Sequence, residues 1–279
     1  MNPGNRLGRL YFEKESHIDE INYNEVRRDF ISWMYERCSK KHVDNIVNYL
    51  DKYLTKVISN PKELFYLIRS VKRGKRHLCM GIRDLLKFYE MFDLMREESL
   101  AKYRKVVKIP KTNTDDYVPD DGKVISAFKK FKNEKYRILF KLLAFSGIRL
   151  IEAIRLLSNF NKDRLIVNQK VAKYALSLDR GTKKIFYAYM PKSFALKLKP
   201  TEITDGAAKK YFSINGLPAK YLRKWNYNFL ILNGVPESVA DFIQGRASIT
   251  IGAMHYLAKV KQADQWYSKI ADKLLELFN

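Results

Sequence analysis

Apolar residues recur at spacings of three and four along most of this chain, and that period lapses in two places. The spacing lays an apolar stripe along a helix, so it commits the chain to helices packed on helices. After a loose lead-in over residues 1–22, the stripe runs from Tyr23 to about Tyr103. It passes through Phe30, Trp33 and Met34, then Ile46, Val47, Leu50, Leu54 and Val57. Pro61 opens a further helix with Leu64, Phe65 and Ile68, as proline does at a first helical position. A basic turn, Lys72 to Arg76, separates it from a helix over His77–Met95. The first lapse, Val106 to Pro119, holds two prolines, Asn113 and Asp115-Asp116, and predicts a linker. The expected organisation is a helical domain over 1–107, a linker over 108–119 and a second domain over 120–279.

The second lapse lies inside that second domain. Helices are expected over Val124–Phe131, Tyr136–Phe145 and Arg149–Leu157. Arg164–Val167, Lys173–Leu178 and Ile185–Met190 are instead short and β-rich, with Asp179 to Lys183 as a hairpin turn. Helical pattern resumes near Ser193 and closes with a helix over Gln262–Phe278, whose apolar stripe suits its own domain or a neighbouring protomer. The fold class is therefore mainly α with a small antiparallel β-sheet.

Charge narrows the partners. Over 279 residues, 53 Lys and Arg against 30 Asp and Glu give a formal charge of +23. Such a surplus favours a polyanion, because each phosphate contact releases condensed counterions. A thermophile's Lys-rich surface would carry matching Glu. Both parts contribute, with 23 basic against 15 acidic residues over 1–110 and 30 against 15 over 111–279. Double-stranded DNA held as in a clamp is the expected partner. Cys38 and Cys79 fit neither a disulfide framework nor a CxxC site, and His17, His42, His77 and His255 lack zinc spacing. No metal or other cofactor is expected. With no long apolar run, a soluble cytoplasmic protein is expected, with no membrane partner.

The chemistry gathers in two places. Phe145-Ser146-Gly147-Ile148-Arg149-Leu150-Ile151-Glu152 has the form G-hydrophobic-R-x-x-E. Further on come Lys220-Tyr221-Leu222-Arg223, then Gly234-Val235-Pro236, Val239 to Ile243 and Gln244-Gly245-Arg246-Ala247-Ser248-Ile249-Thr250, ending at Tyr256. These segments resemble the conserved boxes of the tyrosine recombinases, or phage integrases, in family order and with the β-rich stretch between them. Lys220 stands where the family has the His of H-x-x-R. Arg246 stands where it has His or Trp, ten positions before the tyrosine. Both substitutions make the chain most similar to archaeal virus and plasmid integrases of the fusellovirus type.

The resemblance implies a helical core-binding domain followed by an α+β catalytic domain. It also implies a site-specific recombinase that cleaves and rejoins DNA through a covalent 3′-phosphotyrosine, without metal or ATP. Four protomers would pair two duplexes and exchange strands through a Holliday junction to integrate or excise a viral or plasmid genome. Tyr256 would be the nucleophile. Arg149 and Arg223 would clamp the scissile phosphate, since a guanidinium matches paired phosphate oxygens and stays charged. Arg246 could bond the same phosphate. Lys220 could bond it too, or shuttle a proton if its pKa were lowered. The family's hairpin lysine, general acid to the departing 5′-oxygen, falls on Lys183, with Lys184, Lys173 and Arg180 as alternatives. Glu152 either orients Arg149 or makes a helix-surface ion pair. Tyr267 and Tyr221 are expected to pack. A Xer-type recombinase resolving chromosome dimers, a type IB topoisomerase and a DNA-binding relative that has lost catalysis are the alternatives.

Overall fold

The computed structural model describes residues 19–111, 113, 115–178, 185–246 and 253–278, without the side chains of 177, 178, 185 and 253–257. Two compact units, Met1–Thr114 and Asp115–Asn279, make up the chain.

The described residues of the first unit form a bundle of five helices: α1 (Tyr23–Arg37), α2 (Lys40–Tyr53), α3 (Pro61–Ser70), α4 (Lys75–Met91) and α5 (Glu97–Val106). Its start signals are local. Asn60 Oδ1 accepts the Glu63 N–H at 3.0 Å, Glu63 accepts the Ser59 N–H at 3.0 Å, and Pro61 sits at the first helical position. Phe30, Met34, Ile46, Leu50, Leu64, Leu78, Ile82 and Leu86 meet in the core. Two expectations differ. α2 stops at Tyr53, so Val57 leaves the stripe and is exposed, and Phe65 faces outward from α3. The helix expected over His77–Met95 begins two residues earlier and ends at Met91.

In the second unit, α6 (Asp121–Lys130), α7 (Glu134–Ser146) and α8 (Leu150–Ser158) precede three strands, β1 (Leu165–Asn168), β2 (Val171–Leu178) and β3 (Ile185–Pro191). The strands pair antiparallel in the order β1-β2-β3, with Ile166 opposite Lys173 and Tyr174 opposite Ala188. Then follow α9 (Lys192–Ala195), α10 (Asp205–Ile214), α11 (Lys220–Leu232), α12 (Glu237–Gln244) and α13 (Ala253–Glu276). The expected hairpin turn at Asp179 to Lys183 lies outside the described residues.

α7 is the central helix. Leu139, Phe140, Leu142, Leu143, Ala144 and Phe145 are all buried, and it packs on α8, α11 and β3. From Leu142 to Ser146 every residue is buried, so this end of the helix is enclosed by its neighbours. α13 and the residues after it supply Ala263, Tyr267, Ile270, Ala271, Leu274 and Phe278 to the same core. Phe278 meets the rings of Phe128, Phe140, Phe145 and Trp225. Of the two partners open to this stripe, its own domain takes it. Tyr267 packs as expected, wholly buried, with its hydroxyl donating to Phe145 O at 3.0 Å. Burial holds that phenol well above its usual pKa.

Candidate active site

Gly147 ends α7 in the left-handed region, φ +62°, with its N–H donating to Leu143 O at 2.9 Å. A Cβ here would stand 2.2 Å from Asn226 Oδ1 and 2.4 Å from Gln244 Nε2. The glycine therefore both turns the chain and lets two buried amides approach it. Two residues on, Arg149 is the N-cap of α8. Glu152, 9% exposed, accepts its backbone N–H at 2.7 Å and its Nη1 at 2.8 Å. One carboxylate thus fixes both the main chain and the guanidinium of Arg149. It also sits in the first turn of α8, where the helix dipole favours a negative charge. This is an orienting geometry, not a surface ion pair along a helix face.

Arg223 projects from α11 towards the same place. Its Nη1 donates to Gly147 O at 2.6 Å and its Nη2 to Gln244 O at 2.9 Å. Those bonds tie α11 to the ends of α7 and α12 and occupy two of the five guanidinium N–H donors. Burial first, then the charges of Arg149 and Arg246, push Arg223 down to about 10, with Glu152 opposing. It remains cationic at neutral pH. Crowding three guanidiniums against one carboxylate is unfavourable in itself and suits an anion that arrives later.

Arg246 follows the left-handed Gly245, φ +63°, beyond α12. Its Nε donates to Gln244 Oε1 at 3.0 Å, and its guanidinium lies 4.3 Å from the ring centre of Tyr227. The Tyr227 hydroxyl donates to Asp241 Oδ1 at 3.0 Å; burial and that carboxylate raise it to about 12. Arg149, Arg223 and Arg246, expected together from their boxes, are brought to one place.

Lys220 opens α11, one turn before Arg223. Its Nζ bonds Asp115 Oδ2 at 2.6 Å and lies 4.6 Å from the Tyr221 ring centre. Lys224, one turn on, also pairs with the Asp115 carboxylate and holds the carbonyls of Asp115 and Tyr117. The Tyr117 ring meets Tyr221 edge-on at 5.0 Å. The lysines hold Asp115 at about 2, and Asp115 in turn raises Lys220 above the ordinary lysine value. That is opposite to the direction a proton shuttle at Lys220 would need.

Of the hairpin candidates, Lys183, Lys184 and Arg180 lie outside the described residues. Lys173, on β2, is buried; its Nζ bonds Asp264 Oδ2 of α13 at 2.6 Å. Tyr256 belongs to α13 by its backbone, and its side chain is outside the described set. Three site neighbours carried no role in the sequence: Asn226, Gln244 and Asp115. Asn226 and Gln244 had a signal, since each is polar at a position where the helix stripe puts apolar residues. Leu222, Trp225, Phe229 and Leu230 surround the first, and Phe242 and Ile243 precede the second. Asp115 had none.

A mainly helical unit with a three-stranded antiparallel sheet and converging arginines is the catalytic fold of a tyrosine recombinase. The chain is similar to a lambda integrase tetramer bound to a Holliday junction, with TM-score 0.60 and 13% identity, covering 83% of this chain and 79% of that one. It is also similar to the XerH site-specific recombinase in a post-cleavage complex with palindromic difH substrate. There the TM-score is 0.50 at 11% identity, over 91% and 83% of the two chains. At such identities the likeness is one of fold. No curated protein sequence matches the chain. The archaeal phage integrase family model matches residues 116–273, more than half of the sequence, and the chain belongs to that family. It is an integrase of the tyrosine recombinase class. Among the described residues no helix is long and apolar enough to cross a membrane.

Proposed function

We propose that this integrase joins a viral or plasmid genome to a target DNA, or excises it, with Tyr256 as nucleophile. The convergence of Arg149, Arg223 and Arg246 at the ends of α7 and α12 carries the proposal. The Tyr256 hydroxyl attacks the scissile phosphorus; its O–P bond forms as the bond to the 5′-oxygen breaks. The phenol proton leaves to a base, and the departing 5′-oxygen takes a proton from the hairpin lysine, Lys183. A 5′-hydroxyl of the partner strand then reverses these steps, so the phosphodiester is restored without ATP. Arg149 and Arg223 hold the non-bridging oxygens, whose charge grows in the pentavalent transition state. Arg246 and Lys220 add further donors, since the Lys220 ammonium has three N–H groups and gives one to Asp115.

The surplus of positive charge in both parts of the chain supports binding to duplex DNA through both. On this proposal residues 1–107 are the core-binding domain, 108–119 the linker and 120–279 the catalytic domain. The assembly follows the lambda integrase tetramer on its Holliday junction: four copies on paired sites, working on DNA in the cytoplasm.

The test is a nicked suicide DNA substrate incubated with the full chain. Wild type should form a covalent protein–DNA adduct and Tyr256→Phe none. Arg149→Ala should slow adduct formation by about 10²–10³-fold, the scale of losing one preorganised transition-state donor. Absence of an adduct from wild type on its own attachment site would sink the enzyme reading, and an adduct from Tyr256→Phe would sink the nucleophile.

A further inference from the structure

Two buried amides connect the arginines, and their hydrogen bonds run in one direction. Asn226 Nδ2 donates to Ala144 O at 2.8 Å and to Phe145 O at 3.1 Å. Its Oδ1 is thereby aimed at Gln244, whose Nε2 donates to it at 2.7 Å and also to Arg223 O at 3.0 Å. Gln244 Nε2 is thus spent on two acceptors, and Oε1 is left to receive Arg246 Nε at 3.0 Å. The backbone carbonyl of the same residue receives Arg223 Nη2 at 2.9 Å. Both amides are fully buried, at 0% exposure. Flipping either one would set N–H against N–H and oxygen against oxygen, so the network itself fixes their orientation.

We propose that Gln244 is a positioning residue of this integrase: it locks Arg246 to Arg223, and Asn226 transmits that lock to the end of α7, where Gly147 and Arg149 begin. This rests on the proposed function above and deepens it. Arg246 needs such a partner. It is exposed, and among the described residues its guanidinium also meets the face of Tyr227, which attracts a cation without fixing the in-plane direction of its N–H groups. A hydrogen bond at Nε turns the outer edge of the guanidinium one way. Preorganised donors stabilise the transition state because they need no rearrangement when charge develops. Beside the bonds that Glu152 and Gly147 O accept, one glutamine adds to this preorganisation by accepting from two arginines, one through its side chain and one through its main chain.

The experiment measures single-turnover adduct formation and DNA affinity for wild type, Gln244→Met, Arg246→Ala and the double variant, using the full chain. Gln244→Met should cleave about ten- to a hundredfold more slowly, the scale of a small misplacement of a catalytic group. Its Kd for DNA should stay within about threefold of wild type, because no phosphate contact is deleted. The double variant should be no slower than Arg246→Ala alone, since residues acting as a unit are non-additive. Fully multiplicative losses, or wild-type cleavage by Gln244→Met, would overturn the proposal. Should Gln244→Met fold poorly, Asn226→Leu/Gln244→Met removes both amides together, leaves neither side-chain amide facing a lost partner, and should show the same loss of rate. Exchange protection of the Arg246 Nε–H, followed by NMR in the free protein, separates this proposal from the reaction itself. Protection in wild type that vanishes in Gln244→Met supports the lock even if no adduct forms, and equal protection in both refutes it.

Discussion

Gly147→Ala adds a single methyl group at the end of α7, against Asn226 of α11 and Gln244 of α12. Two costs are expected. The first is conformational: φ of +62° is a left-handed position, which disfavours a residue with a Cβ by about 1–2 kcal/mol. The second is contact. At 2.2 Å from Asn226 Oδ1 and 2.4 Å from Gln244 Nε2, the new carbon must break the 2.7 Å bond between those amides. Leaving buried polar groups unpaired costs about 1–3 kcal/mol. The sum is ~2–5 kcal/mol, which for a unit of this size lowers its Tm by roughly 5–15 °C. Gly234 is the internal control. Its φ is +80°, yet a Cβ there would meet nothing within 4 Å, so Gly234→Ala carries the conformational cost alone. Thermal unfolding of the two variants, followed by circular dichroism, isolates the contact term. If Gly147→Ala melts no lower than Gly234→Ala, the close-approach argument is refuted. Adduct formation should fall more steeply than stability, because Gly147 O is an acceptor for Arg223.

Two other perturbations probe the charges around the site. Asp115→Asn removes the carboxylate that raises Lys220, so the Lys220 midpoint should move down towards the ordinary lysine value in a ¹³C-lysine NMR titration of the free protein; an unmoved midpoint would show that the pair does not persist in solution. On the acid's side the sign is opposite. A carboxyl held at about 2 contributes stability above its unfolded value of about 3.9 and loses it as pH falls towards 2, so this ion pair should be constant from pH 5 to 9. Lys173→Met should destabilise by about 3 kcal/mol in urea unfolding, the low end for breaking a buried pair, because both side chains keep slight exposure, 10% and 18%. Lys173→Met/Asp264→Leu should recover most of that loss; failure to recover would mean that the lysine stem, not the pairing, supports the fold.

Periodicity alone revealed the helices whose apolar stripe is continuous. It overreached at Val57, which lies beyond the end of α2, and at Phe65, which lies within α3 but on its outward face beside the buried Leu64. Local spacing cannot register that, because burial depends on which neighbour arrives. The site divides the same way. Each arginine was legible through its own box, since its local motif survives in one dimension. Asn226 and Gln244 appeared only as polar interruptions of apolar patterns.

By itself the sequence determined which stretches of this protein carry a helical pattern, where a small sheet interrupts them, that its charge suits a polyanion, and which arginines and tyrosine fall in segments that resemble the boxes of the tyrosine recombinases. These are properties of short stretches and of sums over the chain. Only the tertiary structure decided that α13 docks on its own domain, that Asp115 holds Lys220, and that Gln244 receives both Arg223 and Arg246. Each of those contacts joins elements whose pairing is set by the packing of a shared core. A hydrogen bond's direction exists only once donor and acceptor have been brought within 3 Å.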